Sequence, residues 1–271
     1  MKPSLCAALV ALAVVLPAAR GQVNEADLKE DLAATTERGH ALYDYDQAAW
    51  HGTDAIFALH PDMSNAAQYI CTRTTKGWRV VFPRWNATHN RLTVAYEAAE
   101  TAPGQYKAHK VDPPEDAGDD LLAKERALEL VASDFRHSDR PYNSAILHGP
   151  NGAWYVYFYP GQTKDTVWPI GGDVRYTVSP DGSKIVEKRQ LHKSILDQDL
   201  DPAKKPQSGF HTHVLSDVPE DTDVFYVLNR RPRIPEWVGT TGGWFFVIQT
   251  DGSISSTPPC AKGNPLPCKK R

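Results

Sequence analysis

The sequence predicts an α+β fold in which an N-terminal helix and an antiparallel meander precede a mixed-sheet unit. Three observations carry this. Apolar residues recur every three to four positions over residues 24–59 and again over 119–135, the period of a half-buried helix. Short β-rich runs follow each helix, separated by Gly, Pro, Asn and Asp turns of the kind that close hairpins. Near the end, a strand over 209–214 leads into Pro219-Glu220-Asp221-Thr222, which opens a short helix through Leu228, and a strand over 244–249 closes the sheet.

In chain order, Leu28, Leu32, Leu42, Tyr45, Ala49 and Ile56 form the first apolar stripe. Gly39 and Gly52 are expected as kinks, and His60-Pro61 ends the helix. The meander is expected as strands 67–72, 78–82 and 92–96. Residues 110–120, rich in Pro, Asp and Glu, are expected as a boundary between a unit over 22–111 and a larger one over 119–254 that share one core. Asp119 or Asp120 is expected to cap the second helix, whose apolar face is Leu121, Leu128, Val131 and Phe135. Two hairpins then turn at Gly149-Pro150-Asn151-Gly152 and at Ser179-Pro180-Asp181-Gly182. A tail with Pro and Cys occupies 255–271.

The first residues read as a cleavable export signal over 1–21. Met1-Lys2 provide the positive start, residues 5–16 the apolar stretch, and Ala19 and Gly21 the small side chains before a cut at Gln22. An extracytoplasmic location, periplasmic or secreted, is therefore expected. Hydrophobic residues at 41% and charged residues at 23% describe an ordinary globular protein, and no later apolar run is long enough to span a bilayer. A formal charge of −3 without a basic block argues against nucleic acid or anionic lipid as a partner. Signal cleavage removes Cys6 and leaves Cys71, Cys260 and Cys268. A local Cys260–Cys268 disulfide across the Pro-rich tail is expected in an oxidising compartment, with Cys71 a buried small residue.

Chemistry concentrates in Phe210-His211-Thr212-His213-Val214. Strand alternation puts both imidazoles on one face, so both can reach one ion. Asp217, Glu220, Asp221 and Asp223 follow immediately, and imidazole plus carboxylate is a common zinc environment. The plain alternative is two hydrogen-bonding histidines on the polar face of a strand. Other groupings carry less. Tyr43-Asp44-Tyr45-Asp46 with Trp50-His51, and the five aromatics within Trp154 to Tyr159, are expected mainly to pack. Ser194, Ser216, His192 and Asp217 lack a nucleophile-elbow context for a hydrolase triad.

Over residues 119–254 the order of elements, with His-x-His followed by a helix-opening Asp, resembles the JAMM metalloprotease family. The resemblance implies zinc held by His211, His213 and Asp223 and a metal-dependent amide hydrolase activity, with Pro219 and Val224 as matching neighbours. Two positions depart. The family's serine falls on Glu220 or Asp221, with one residue less between His213 and Asp223. Its upstream glutamate base falls where this chain has Arg140-Pro141-Tyr142-Asn143, leaving Glu129 or Glu187 to substitute from elsewhere. Two functional classes follow: an exported metal-binding, degenerate metallohydrolase-like protein, or a non-enzymatic extracytoplasmic binding or structural module.

Overall fold

The computed structural model describes residues 25–135 and 140–259. The expected export signal and the expected Cys260–Cys268 disulfide lie outside the described residues.

Helix α1 (Glu25–Phe57) runs without interruption. Its buried positions, Leu28, Thr35, Gly39, Leu42, Tyr45, Ala49, Gly52 and Ile56, keep the helical period of the sequence stripe. The two glycines do not kink it. They are points of close approach: a Cβ on Gly39 would lie 2.4 Å from Val224 Cβ, and one on Gly52 would lie 2.4 Å from Val80 Cγ2.

Four antiparallel strands form the meander, β1 (Ile70–Thr74), β2 (Gly77–Trp85), β3 (Leu92–Ala102) and β4 (Gln105–Asp116), in the order β1-β2-β3-β4. Strand β4, a fourth strand beyond the three expected, runs through most of the Pro- and acid-rich residues over 110–120. Pro113 and Pro114 donate no hydrogen bond, but β4 is an edge strand, where a missing N–H costs little. Register shifts at Val94/Tyr96 let β3 continue pairing past them to Asp116.

Helix α2 (Gly118–Asp134) buries Leu121, Leu128 and Val131. Neither acid caps it: Asp119 and Asp120 sit in its first turn, beside the positive end of the helix dipole, and Ala117 holds the cap position without a side-chain bond. The two expected hairpins join into one sheet, β5 (Tyr142–His148), β6 (Trp154–Pro160), β8 (Val174–Val178) and β9 (Ile185–Gln190), ordered β5-β6-β8-β9. Strands β7 (Val167–Gly171) and β10 (Ile195–Asp199) pair as a separate ribbon. The last unit is a strand–helix–strand crossover. Strand β11 (Gly209–His213) runs parallel to β12 (Glu236–Thr240), with α3 (Asp221–Asn229) between them, and β13 (Phe245–Ile248) and β14 (Ile254–Thr257) extend the sheet antiparallel. Antiparallel sheets plus this one mixed sheet make the fold α+β.

One apolar cluster runs through α1, the meander, α2 and the β5-β6-β8 strands, with Leu42, Val80, Leu128 and Val156 all fully buried in it. A second surrounds α3, β12 and β13 and includes Leu28 of α1. The first helix therefore touches both, and Gly39 is where it meets α3. Gly39→Ala is expected to lower unfolding free energy by about 1–3 kcal/mol, the usual consequence of overpacking. Urea denaturation checks this, and a change below about 0.5 kcal/mol would contradict the close helix contact.

Candidate metal centre

Strand β11 inverts the usual amphipathic arrangement. Phe210 is 58% exposed, while His211 and His213 are 4% and 2% exposed. A strand buries imidazoles in preference to a phenyl ring only where those imidazoles have partners. His192, in the loop between β9 and β10, and Asp223, in the first turn of α3, join them.

The four side chains converge through their ligand atoms, all within 4.8 Å of one another. His213 Nε2 stands 2.9 Å from His192 Nε2 and 3.1 Å from His211 Nε2. Asp223 Oδ1 is 3.1 Å from Nε2 of both His192 and His211, and Oδ2 is 3.0 Å from His213 Nε2. Four donors at 2.0–2.1 Å from a tetrahedral zinc ion lie roughly 3.3–3.4 Å apart. The cluster is close to that size.

Hydrogen bonds on the far side of each ring decide where its lone pair points. His192 Nδ1 faces Asp173 Oδ1 at 2.7 Å, and His211 Nδ1 faces Glu236 Oε1 at 2.9 Å. His213 Nδ1 lies 2.9 Å from the carbonyl of Val218, which can only accept. Each neutral ring thus carries its proton on Nδ1 and turns a bare Nε2 inward, as metal-binding histidines do. Three lone pairs and a carboxylate then face one another in a buried space, which requires positive charge at the centre. While those nitrogens are bare, Asp223 Oδ1 is buried with no hydrogen-bond donor, the mark of a missing electropositive neighbour.

The surrounding charges are arranged around that demand. Arg230, wholly buried, donates to Glu236 Oε2 at 2.6 Å. Asp173, Glu236 and Asp223 carry three negative charges, Arg230 supplies one positive charge, and a divalent cation completes neutrality. The chain can also reach neutrality with protons. Burial opposes charge on His192 and His211, but Asp173 and Asp223 outweigh it for His192 and hold its pKa well above 6.5. Asp223 and Glu236 do the same for His211, which reaches about 9. Burial would raise Asp223, yet the three imidazoles hold its carboxyl well below the ordinary range. Metal and protons compete for the same nitrogens.

Local structure positions Asp223. Its Oδ2 accepts the backbone N–H of Glu220, the N-cap residue of α3, at 2.7 Å, which fixes the side chain across the helix entrance. The other acids after β11 do not reach the cluster. Asp221, fully buried, is bound by Arg175, by Arg38 Nε at 2.8 Å and by Tyr157 Oη at 2.8 Å. Glu220 pairs with Arg189 at 2.6 Å, and burial lifts its carboxyl to about 7. Asp217 lies beside Gly242.

Of the sequence candidates, the structure brings His211, His213 and Asp223 together and adds His192, which no local motif marks. Neither substitute base adjoins the cluster: Glu129 bonds Trp85 Nε1 and His89, and Glu187 bonds Thr177. Tyr142 Oη donates to the Gly172 carbonyl, and Ser216 Oγ donates to the Val218 carbonyl. Cys71 is buried and free, its thiol pushed well up by burial, which makes it unreactive. Compared with protein-family models and with curated proteins, the chain matches none.

The raised histidines fix a pH response. A proton bound more tightly in the folded than the unfolded chain stabilises fully below about 6.5, and that stabilisation is lost as pH rises through about 9 for His211. Thermal melts of chelator-treated protein should therefore shift downward between pH 7 and 10. Bound divalent metal should abolish the shift, because it needs the deprotonated rings. A metal-free midpoint flat across that range would count against the protonated cluster.

Proposed function

We propose that this is an exported metal-binding protein whose His192, His211, His213 and Asp223 hold one zinc ion in a closed, structural centre, and that it acts as a binding or structural module. The observation that carries this reading is the set of three inward Nε2 atoms, each oriented by an acceptor on its Nδ1, around an unpartnered carboxylate oxygen. Imidazole and carboxylate donors in a compact four-fold arrangement suit zinc. Export rests on the apolar segment over residues 5–16.

A structural rather than hydrolytic centre is favoured by His192. Hydrolytic zinc sites keep one position for water and a general base beside it. Here a fourth protein side chain, 8% exposed, faces that position. Glu220 is the nearby acid with a carboxyl near neutrality, but Arg189 holds it. In this reading the resemblance to JAMM proteases extends to the ligand trio and stops short of the chemistry. The ion would tie the loop after β9, strand β11 and the start of α3 into one unit.

Protein purified without chelator is expected to carry about one zinc per chain by elemental analysis. A ligand in thousandfold excess over its Kd stabilises by about 4 kcal/mol, so chelation should lower the thermal midpoint by about 8–16 °C for a chain of this size. Asp223→Asn, which keeps the shape and removes the charge, should weaken zinc binding at least about tenfold. Protein that neither retains zinc nor gains stability from it would defeat the proposal. Cobalt(II) in place of zinc should give an intense tetrahedral absorption that acetohydroxamate leaves unchanged. A spectral shift on adding it would place an exchangeable position on the metal and favour the hydrolase reading.

A further inference from the structure

A cavity of about 590 Å³ lies away from the metal cluster, where the C-terminal half of α1, the end of β6 and the second half of α3 meet. It gathers two motifs that the metal centre leaves unused: the polar-aromatic segment of α1 and the aromatic strand β6. Asp46 lines it and is half-buried, with its Oδ1 accepting the Tyr159 hydroxyl at 2.8 Å. No Lys, Arg or His among the described residues forms an ion pair with Asp46. Burial pushes its carboxyl up to about 6, so at neutral pH the cavity wall carries a carboxylate with no ion-pair partner.

The walls add to that field. Tyr69, Tyr159 and Phe225 line the cavity, with the Tyr159 and Phe225 rings 4.8 Å apart, and Trp168 and the 56% exposed Trp50 complete it. Aromatic faces carry partial negative charge and attract cations whose surface is apolar. Two groups able to carry positive charge, Arg231 and His51, also line it, and neither pairs with Asp46. Arg231 Nη1 donates to the carbonyls of Leu228, Asn229 and Arg230 at the end of α3, and His51 stacks on Trp50 at 4.8 Å.

We infer that this cavity binds a small quaternary ammonium compound, with the Asp46 carboxylate facing its charge and the rings of Tyr69, Tyr159, Phe225 and Trp50 packed on its methyl groups. An anion would meet Asp46, and a neutral sugar would leave its charge unpaired. The cation satisfies both the carboxylate and the rings.

Calorimetric titration of the zinc-loaded full chain with choline tests this, with its neutral carbon isostere 3,3-dimethylbutan-1-ol and the neutral disaccharide maltose as controls. Saturable choline binding is expected, at least about tenfold tighter than the isostere. Asp46→Asn, which keeps an acceptor for Tyr159, should weaken choline at least about tenfold, and Trp50→Ala, at an exposed position, should weaken it several-fold without altering the circular dichroism spectrum. No saturable choline binding by folded protein would overturn the inference. So would equal affinity for the isostere, undiminished choline affinity in folded Asp46→Asn, or maltose binding that Asp46→Asn leaves intact.

Discussion

Three imidazole nitrogens and one carboxylate held in buried contacts of 2.9–3.1 Å are the constraint on which the second half of this protein depends. In water such groups would turn apart; here they cannot. His192 is held by Asp173, His211 by Glu236 and His213 by the Val218 carbonyl, so no ring can rotate its lone pair away without losing a buried hydrogen bond. Glu236 is held in turn by Arg230. Removing one partner from a buried charged pair costs about 3–5 kcal/mol, which makes each of these orienting contacts a support for the cluster as a whole. A divalent cation would resolve the repulsion and balance the carboxylates in the same step.

The rest of the fold keeps Asp223 in place. Its helix is short and nearly all buried, so its position is set by what it packs on. Helix α1 supplies most of that support. Gly39 lets the two helix backbones approach, Arg38 reaches Asp221, and Gln47 bonds Asn229 at the opposite end of α3. Tyr157 and Arg175, from neighbouring strands β6 and β8, hold Asp221 from the other side. The N-terminal half is thus mechanically joined to the half that carries the His/Asp cluster through α3. The same helix also contributes Phe225 and Asn229 to the aromatic cavity, so one element serves both sites.

Much of this was legible where structure is local. Helical periodicity located α1 and α2, the Pro219-Glu220-Asp221-Thr222 start located α3, and Gly, Pro and Asp turns located both hairpins, because those signals arise within a few residues of one another. Strand β4 was hidden by prolines that only its edge position tolerates. Strands β7 and β10 are short, and β10 reads as polar because two of its five side chains are Asp. At the site, His211, His213 and Asp223 stand close in sequence and alternate on a strand before a helix start, so their convergence could be anticipated. His192 could not, since the loop that carries it meets β11 only through packing between separate sheets. The kinks expected at Gly39 and Gly52 misread the same fact: a glycine inside a helix also marks a neighbour too close for a side chain.

The surroundings of a bound zinc ion test the proposed closed centre most directly. X-ray absorption at the zinc edge of purified protein should show four light-atom ligands at about 2.0–2.1 Å, with the outer-shell scattering of three imidazoles and one carboxylate oxygen and no further water. The His192→Ala chain should lose one imidazole from that pattern. Fewer than three imidazoles in the parent protein, or a sample that carries no zinc after growth and purification in its presence, would contradict the closed centre described here.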